Sequence, residues 1–499
     1  MKTLKNLSRW SLALCLAFPF NPSSAFGQSL PQRPPQYILI SFDGSYTSEM
    51  WKATREHAIK SGAQVTHFIS GVDFLMGSSS RKIEGAIDHI YTPPRYKGGR
   101  RSDIGFGGDR SEMNRRIFEM NENMKAGMEI GGHGNSHFNG SSWSLEDWTF
   151  EFNQFHKFLF EAFSLNKLQE SQTRVQESEW RKNLLPHLRS FRAPYLGRGE
   201  GLWKTLGQSK WEIDGQVRDH QFVYDASAVA ESPTSWPTKS ERGFWYFRLA
   251  VIPVPGLNHG VLSMDYNFYV AHSDNPNSPK DKPDKTQEFE EQMYQAYVSW
   301  FQRNYHGNRA PMNIGHHFST WNKGAYWKAL KRFMTDVCQQ PEVKCTTGLE
   351  LAEYLESLPA STLASLKQGQ FDRKNLPRLA SLDQSRVSSA VLSQNRFYRW
   401  SQEGFADLPR KENVEYSWRA RTGETSQTRL NLERLAARGI HDLELVAKDH
   451  EDREEVKRMV IDWDARESRY RLAPQKEPLV MGCTSESHRE QVDLSVLED

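Results

Sequence analysis

The sequence predicts an α/β chain, in which a mostly parallel sheet, open or closed into a barrel, is covered by helices and followed by a small β-rich region. Three observations lead there. Short apolar runs alternate with helical patterns from residue 37 to residue 358, as repeated strand–helix units require. Residues able to do chemistry stand at the ends of several of those runs, where parallel sheets collect their working groups. Beyond residue 360 the composition changes, and alternating apolar and polar positions predict half-buried antiparallel strands.

In chain order, residues 37–42 (Tyr-Ile-Leu-Ile-Ser-Phe) read as a buried strand, 47–60 as a helix and 64–69 as a second strand. Residues 77–110 are rich in Gly, Arg and Ser and read as a long surface insertion. Residues 111–126 are helical, and a short strand through Met128 and Ile130 leads to His133. Ser144 and Asp147 form a capping box that opens a helix to about Phe163, and the polar residues 165–183 continue as a helical excursion. Strands resume at 188–192 and 222–225, a longer apolar stretch covers 244–255, and Pro276, Pro279 and Pro283 punctuate an exposed loop. A helix (288–303), a strand (311–316), a helix (322–334) and a short helix (348–358) complete the series. The boundaries expected are a signal peptide at 1–27, the α/β unit at 28–358, a linker at 359–394, a β-rich accessory domain at 395–475 and a tail at 476–499.

The totals bound the rest. The chain has 499 residues, enough for two or three domains, and 64 basic against 62 acidic side chains leave a net charge of +2. That balance makes no electrostatic case for nucleic acid or an acidic membrane surface. Lys2, Lys5 and Arg9 precede a short apolar core at 10–20, too short to span a bilayer, and small residues near Ala25 and Gly27 suit cleavage. The expectation is a protein secreted to the periplasm, cell envelope or exterior, with no transmembrane segment. In such an oxidising setting Cys338 and Cys345 are expected to pair, a short loop worth about 2–3 kcal/mol, leaving Cys483 over.

The chemistry centres on Gly131-Gly132-His133-Gly134-Asn135-Ser136-His137. Two imidazoles four residues apart can face one point, and neutral imidazole is a common ligand for zinc. Asp43 ends the first strand, Arg192-Ala193-Pro194-Tyr195 and Asp225 end later ones, and His316-His317 ends the strand from Met312. A carboxylate, two metal-ligating imidazoles and a distant His are a kit for metal-assisted hydrolysis, with the carboxylate taking the water proton and the distant His protonating the departing nitrogen.

In this order the motifs resemble the polysaccharide deacetylase family, whose domain is shared with nodulation chito-oligosaccharide deacetylases, over residues 37–358. Ser190-Phe191-Arg192-Ala193-Pro194-Tyr195, Tyr224-Asp225-Ala226-Ser227 and Gly307-Asn308-Arg309-Ala310-Pro311 are most similar to the chitin deacetylase-like branch. The resemblance implies a deformed (β/α) barrel of about seven parallel strands. It also implies metal-dependent removal of acetyl groups from an N-acetylated polysaccharide, chitin-like or peptidoglycan. By that resemblance His133 and His137 hold a divalent metal, foremost zinc. Arg192 pairs with Asp43, and the Tyr195 backbone N–H serves the oxyanion.

The family's first motif is Thr-Phe-Asp-Asp-Gly, and Ser41-Phe42-Asp43-Gly44-Ser45 lacks one carboxylate. Asp43 reads as the base with Gly44 in the ligand's place, or as the ligand after a one-residue deletion. Gly134 replaces the hydroxyl residue of the His-Ser/Thr-x-x-His motif. His317 aligns best as the general acid, with His316 the alternative. Asp225 either orients that His or serves a turn, and Asp265 is either a substitute carboxylate or a solvated loop residue. Trp143, Trp148 and Trp321 suit sugar stacking or helix packing. Two rival functions stay open: a barrel that has lost activity and binds glycan, and an amidohydrolase of small amides.

Overall fold

Strand β1 (Gln36–Asp43) is buried along its whole length, as befits a run of Ile, Leu and Phe flanked by parallel neighbours. The computed structural model describes residues 30–380 apart from 214, 376 and 378, and within 401–474 the strands named below with residues 432 and 435. In it β1 belongs to a nine-stranded sheet. The other members are β2 (Thr66–Ile69), β3 (Glu129–Gly132), β4 (Ser190–Phe191), β5 (Tyr224–Asp225), β6 (Thr238–Lys239), β7 (Trp245–Tyr246), β8 (Met312–His317) and β9 (Val343–Thr346). The order is β8-β1-β2-β3-β4-β5-β7-β6, with β9 also paired to β1. Every pair is parallel except β6 with β7. The sheet curls into a half-barrel, the deformed (β/α) barrel the motifs imply, with eight parallel strands against the expected seven or so.

Helices interleave with the strands. Helix α1 (Ser48–Ser61) ends at Gly62, whose left-handed backbone (φ 69°) caps it. Helix α2 (Arg110–Lys125) opens on a capping box between Asp109 and Glu112. Helix α3 (Leu145–Phe160) opens on the expected Ser144–Asp147 box and buries Trp148, Phe152, Phe155 and Leu159 against the sheet. Helices α4 (Asp265–Ala271), α5 (Thr286–His306), α6 (Trp321–Val337) and α7 (Gly348–Ser357) follow. Helix α8 (Ala360–Lys367) buries Leu366, so packing continues past the expected end of the barrel at residue 358.

Two expectations are refined. The insertion at 77–110 lies largely at the surface, but Tyr91, Ile104 and Phe106 anchor it, buried with Val72, Leu75 and Phe158 in a core of their own. Its Gly, Arg and Ser content masked those few apolar anchors. The stretch at 244–255 is two strands, Trp245–Tyr246 in the main sheet and Val251–Pro253 in a hairpin with Gly260–Leu262. The Cys338–Cys345 disulfide is present.

Beyond the barrel, Ser401–Gln402, Phe405–Asp407 and Arg429–Asn431 form a three-stranded sheet. Val414–Ala420, Gly423–Thr425, Asp442–Asp449, Glu454–Asp464 and Arg469–Pro474 form a five-stranded antiparallel one. The expected signal peptide, the tail and Cys483 lie outside the described residues. Among the described residues, no helix is long and apolar enough to cross a membrane.

Candidate active site

Parallel pairing decides what meets at the carboxyl rim of the sheet. The register of β1 with β8 sets Asp43 directly opposite His317. β3 delivers the loop carrying His133 and His137, and β4 delivers Arg192. All five side chains are buried. Arg192 Nη1 donates to Asp43 Oδ1 at 2.8 Å, with the two side chains 0% and 4% exposed. Arg192 Nε also donates to the Ala226 carbonyl. A charge pair this dry holds both partners in one geometry, because either alone would be costly to bury.

The two imidazoles share one small space, with ring centroids 5.2 Å apart. His133 Nδ1 lies 2.7 Å from the Arg192 carbonyl oxygen. A carbonyl can only accept, so that nitrogen carries the proton and Nε2 keeps its lone pair. Burial lowers the pKa of His133, against the opposing pull of Asp43. Burial, reinforced by His133 and His317, holds His137 well below its ordinary value. Both rings are therefore neutral at pH 7, the form that binds a metal. His137 adopts a left-handed backbone (φ 63°), and so does Tyr195 (φ 58°), whose ring centroid stands 4.8 Å away. Left-handed non-glycine residues store strain and gather at functional sites.

His317 is oriented by Asp265. Its Nδ1 lies 2.6 Å from Asp265 Oδ1, and its backbone N–H donates to Oδ2 at 2.9 Å. Burial pushes the Asp265 carboxyl up, but His317 and His316 outweigh it and the net pKa falls below the usual value. The ionised carboxylate accepts from Nδ1–H and so fixes the orientation of the His317 ring. His316 lies on the other face of β8, where its Nε2 meets the Tyr297 hydroxyl at 3.2 Å and burial lowers its pKa to about 4.

Of the two readings of Asp225, orienting the late His or serving a turn, its hydrogen bonds match the turn. Asp225 Oδ1 accepts from the Ser227 N–H and hydroxyl, and Ser227 Oγ accepts from the Ala193 N–H at 2.8 Å. That chain fixes the turn from Arg192 to Tyr195. Asp265 is no solvated loop residue but is 1% exposed. A carboxylate right after the apolar run 260–264 was the signal available for it. Trp148 and Trp321 are buried, and Trp143 packs on Trp148, so helix packing accounts for them.

Among the described residues, no group of three or more His, Cys, Asp or Glu is arranged around one point as a metal cage. The donors present fit a divalent cation at two positions: neutral imidazoles side by side, one with its ring set by a backbone carbonyl, as metal-ligating histidines are. Gly44, next to Asp43, has φ 96° and nothing within 4 Å of where a Cβ would stand.

No family model and no curated protein matches the sequence. Comparison of folds finds a Mycobacterium smegmatis protein described as a polysaccharide deacetylase, at 14% identity and TM-score 0.38, over 66% of this chain and 96% of that one. It also finds the peptidoglycan deacetylase PdaC of Bacillus subtilis, at 13% and 0.31, over 66% and 96%. BA3943 of Bacillus anthracis, a CE4 family pseudoenzyme, matches at 10% and 0.32, over 65% and 68%.

Proposed function

We propose that this chain is an extracytoplasmic, metal-dependent deacetylase that removes acetyl groups from an N-acetylglucosamine-containing polysaccharide, chitin-like or peptidoglycan. One observation carries the reading: a buried Asp43–Arg192 pair and a buried His317–Asp265 pair face each other across β1 and β8, with two neutral imidazoles beside them. That sets a candidate base and a candidate acid next to each other at one rim of the sheet, as amide hydrolysis needs.

His133 and His137 would hold the cation, zinc suiting paired nitrogens, and when bound it supplies Lewis-acid polarisation of the acetyl carbonyl. Asp43, oriented by Arg192, removes the proton of the attacking water. The Tyr195 backbone N–H, set by its left-handed turn, stabilises the developing oxyanion. His317 gives its Nε2 proton to the departing amine, and Asp265 steadies the imidazolium. Asp225 acts through Ser227 on the Arg192–Tyr195 turn, and so positions two of these groups at once.

A second reading, a deacetylase fold that binds glycan without turning it over, is favoured by the absent third ligand at Gly44. The full chain incubated with N-acetylated chito-oligosaccharides and with peptidoglycan, with and without chelator, separates them. Chelator-sensitive acetate release is expected. Retention of the glycan with no acetate formed would replace the enzyme by the binder, and release from small amides without preference for longer oligomers would point to a small-amide hydrolase.

A further inference from the structure

The loop from His133 to His137 makes no regular structure, yet its backbone is held from three sides. Gly71 N–H donates to the Gly134 carbonyl at 3.0 Å, and Val72 N–H to that of Asn135 at 3.2 Å. From the insertion, Asp103 N–H donates to the Ser136 carbonyl at 3.0 Å. From α3, Glu151 does most. One carboxylate oxygen accepts from the Asn135 N–H at 2.7 Å, and the other from the Tyr91 hydroxyl at 3.0 Å. The Tyr91 hydroxyl also meets Ser136 Oγ at 2.7 Å, and Asn135 Nδ2 donates to the Glu151 carbonyl at 2.8 Å. All four residues are buried. A Cβ on Gly134 would stand 3.3 Å from Glu151 Oε1, and one on Gly71 2.1 Å from Asn135 Oδ1, so the loop is pressed onto the clamp.

We propose that Glu151 is a positioning residue for the paired imidazoles: through Asn135 and the Tyr91–Ser136 hydroxyls it fixes the middle of the loop whose two ends are His133 and His137. The reasoning is mechanical. A five-residue loop with a left-handed glycine inside it and a left-handed histidine at its end needs an external tie to hold two rings 5.2 Å apart. Gly134 brings no side chain to tie the loop, the Ser136 hydroxyl reaches outward to Tyr91, and the carboxylate from α3 supplies the acceptor. Groups that orient metal ligands from behind typically alter metal affinity about 10–100-fold when removed.

The proposal rests on the assignment of His133 and His137 as ligands, and the test separates the two. In the full chain, the rate at which diethyl pyrocarbonate modifies His133 and His137 is compared by mass spectrometry with that of the buried His67 and His272, for wild type, Glu151→Ala, Glu151→Gln and Gly71→Ala. The expected result is a rise of about tenfold or more in the ratio for Glu151→Ala and Gly71→Ala. Glu151→Gln, whose amide oxygen still accepts from the Asn135 N–H, stays near wild type. A ratio unchanged in Glu151→Ala, because both sets stay protected or both open together, overturns the clamp. Titration with zinc alone is the second readout, expected about tenfold or more weaker in Glu151→Ala, and equal affinity again overturns the clamp. A wild-type chain that takes up no zinc overturns the ligand assignment, while the modification ratio still decides the clamp.

Discussion

The Asp43–Arg192 pair makes the sharpest energetic prediction. Arg192→Met removes the guanidinium and leaves Asp43 in a site where the two partners are 4% and 0% exposed. Removing one member of a buried ion pair costs about 3–5 kcal/mol, most of it the burial of the charge left behind. Lost with it are the bond from Nε to Ala226, about 1 kcal/mol, and the guanidinium stacked 4.6 Å above Phe68. Asp43→Asn strands the opposite charge and costs a similar amount. The double variant strands neither, so it should be more stable than the sum of the singles implies by roughly 3 kcal/mol. Urea unfolding of the four proteins, followed by tryptophan fluorescence at one pH, completes the cycle. Costs that add within about 0.5 kcal/mol would show that the two side chains do not depend on each other, and the argument that Arg192 holds the base would fail.

Other expectations follow from the same site. His317→Ala should lower kcat about 10²–10⁴-fold in acetate-release kinetics, the usual worth of a general acid, and Asp265→Asn should follow it. His316→Gln, whose ring meets Tyr297 but also stands 3.7 Å from Asp265 Oδ2, should lower kcat far less than His317→Ala, and the reverse pattern would transfer the acid role. Burial carries the Glu151 carboxyl from an ordinary 4.5 up to about 7, and a rise of that size is worth about 3 kcal/mol. The folded chain then binds more protons than the unfolded one between those pH values, so this group's stabilisation is full below pH 4.5 and lost as pH rises toward 7. Tyr91, raised well above its ordinary value by burial and Glu151, does not titrate there. Thermal unfolding of Glu151→Gln should therefore gain on wild type as pH climbs from 5 to 8, and a difference constant with pH would refute it. Gly44→Asp places a carboxylate in open space at a left-handed position, and should tighten zinc by more than the roughly tenfold of an outer-shell change. Unchanged affinity would remove position 44 from the ligand set.

Much of this architecture was legible because parallel strands write themselves as unbroken apolar runs and put their chemistry at one end. Asp43, Arg192 and His317 could be found that way, since each directly follows or closes such a run. The disulfide was legible from a separation of 7 residues. What escaped was what depends on side chains reaching across elements. Asp265 opens α4, more than fifty positions from the histidine it holds, and nothing local to it announces a partner. Glu151 sits on the polar–apolar boundary of α3, where a carboxylate is ordinarily solvated. Asp225 invited a catalytic reading by its strand-end position, and only the bonds to Ser227 show that its work is on a turn. The insertion at 77–110 hid Tyr91 in a composition that reads as surface.

The central claim is spatial, and one measurement addresses it directly: anomalous diffraction at the zinc edge from zinc-soaked crystals of the full chain. The account predicts a single strong peak bonded to one nitrogen each of His133 and His137, with its remaining positions open and both Asp43 and His317 facing them. A peak elsewhere on the chain, with these two imidazoles bare, would contradict it.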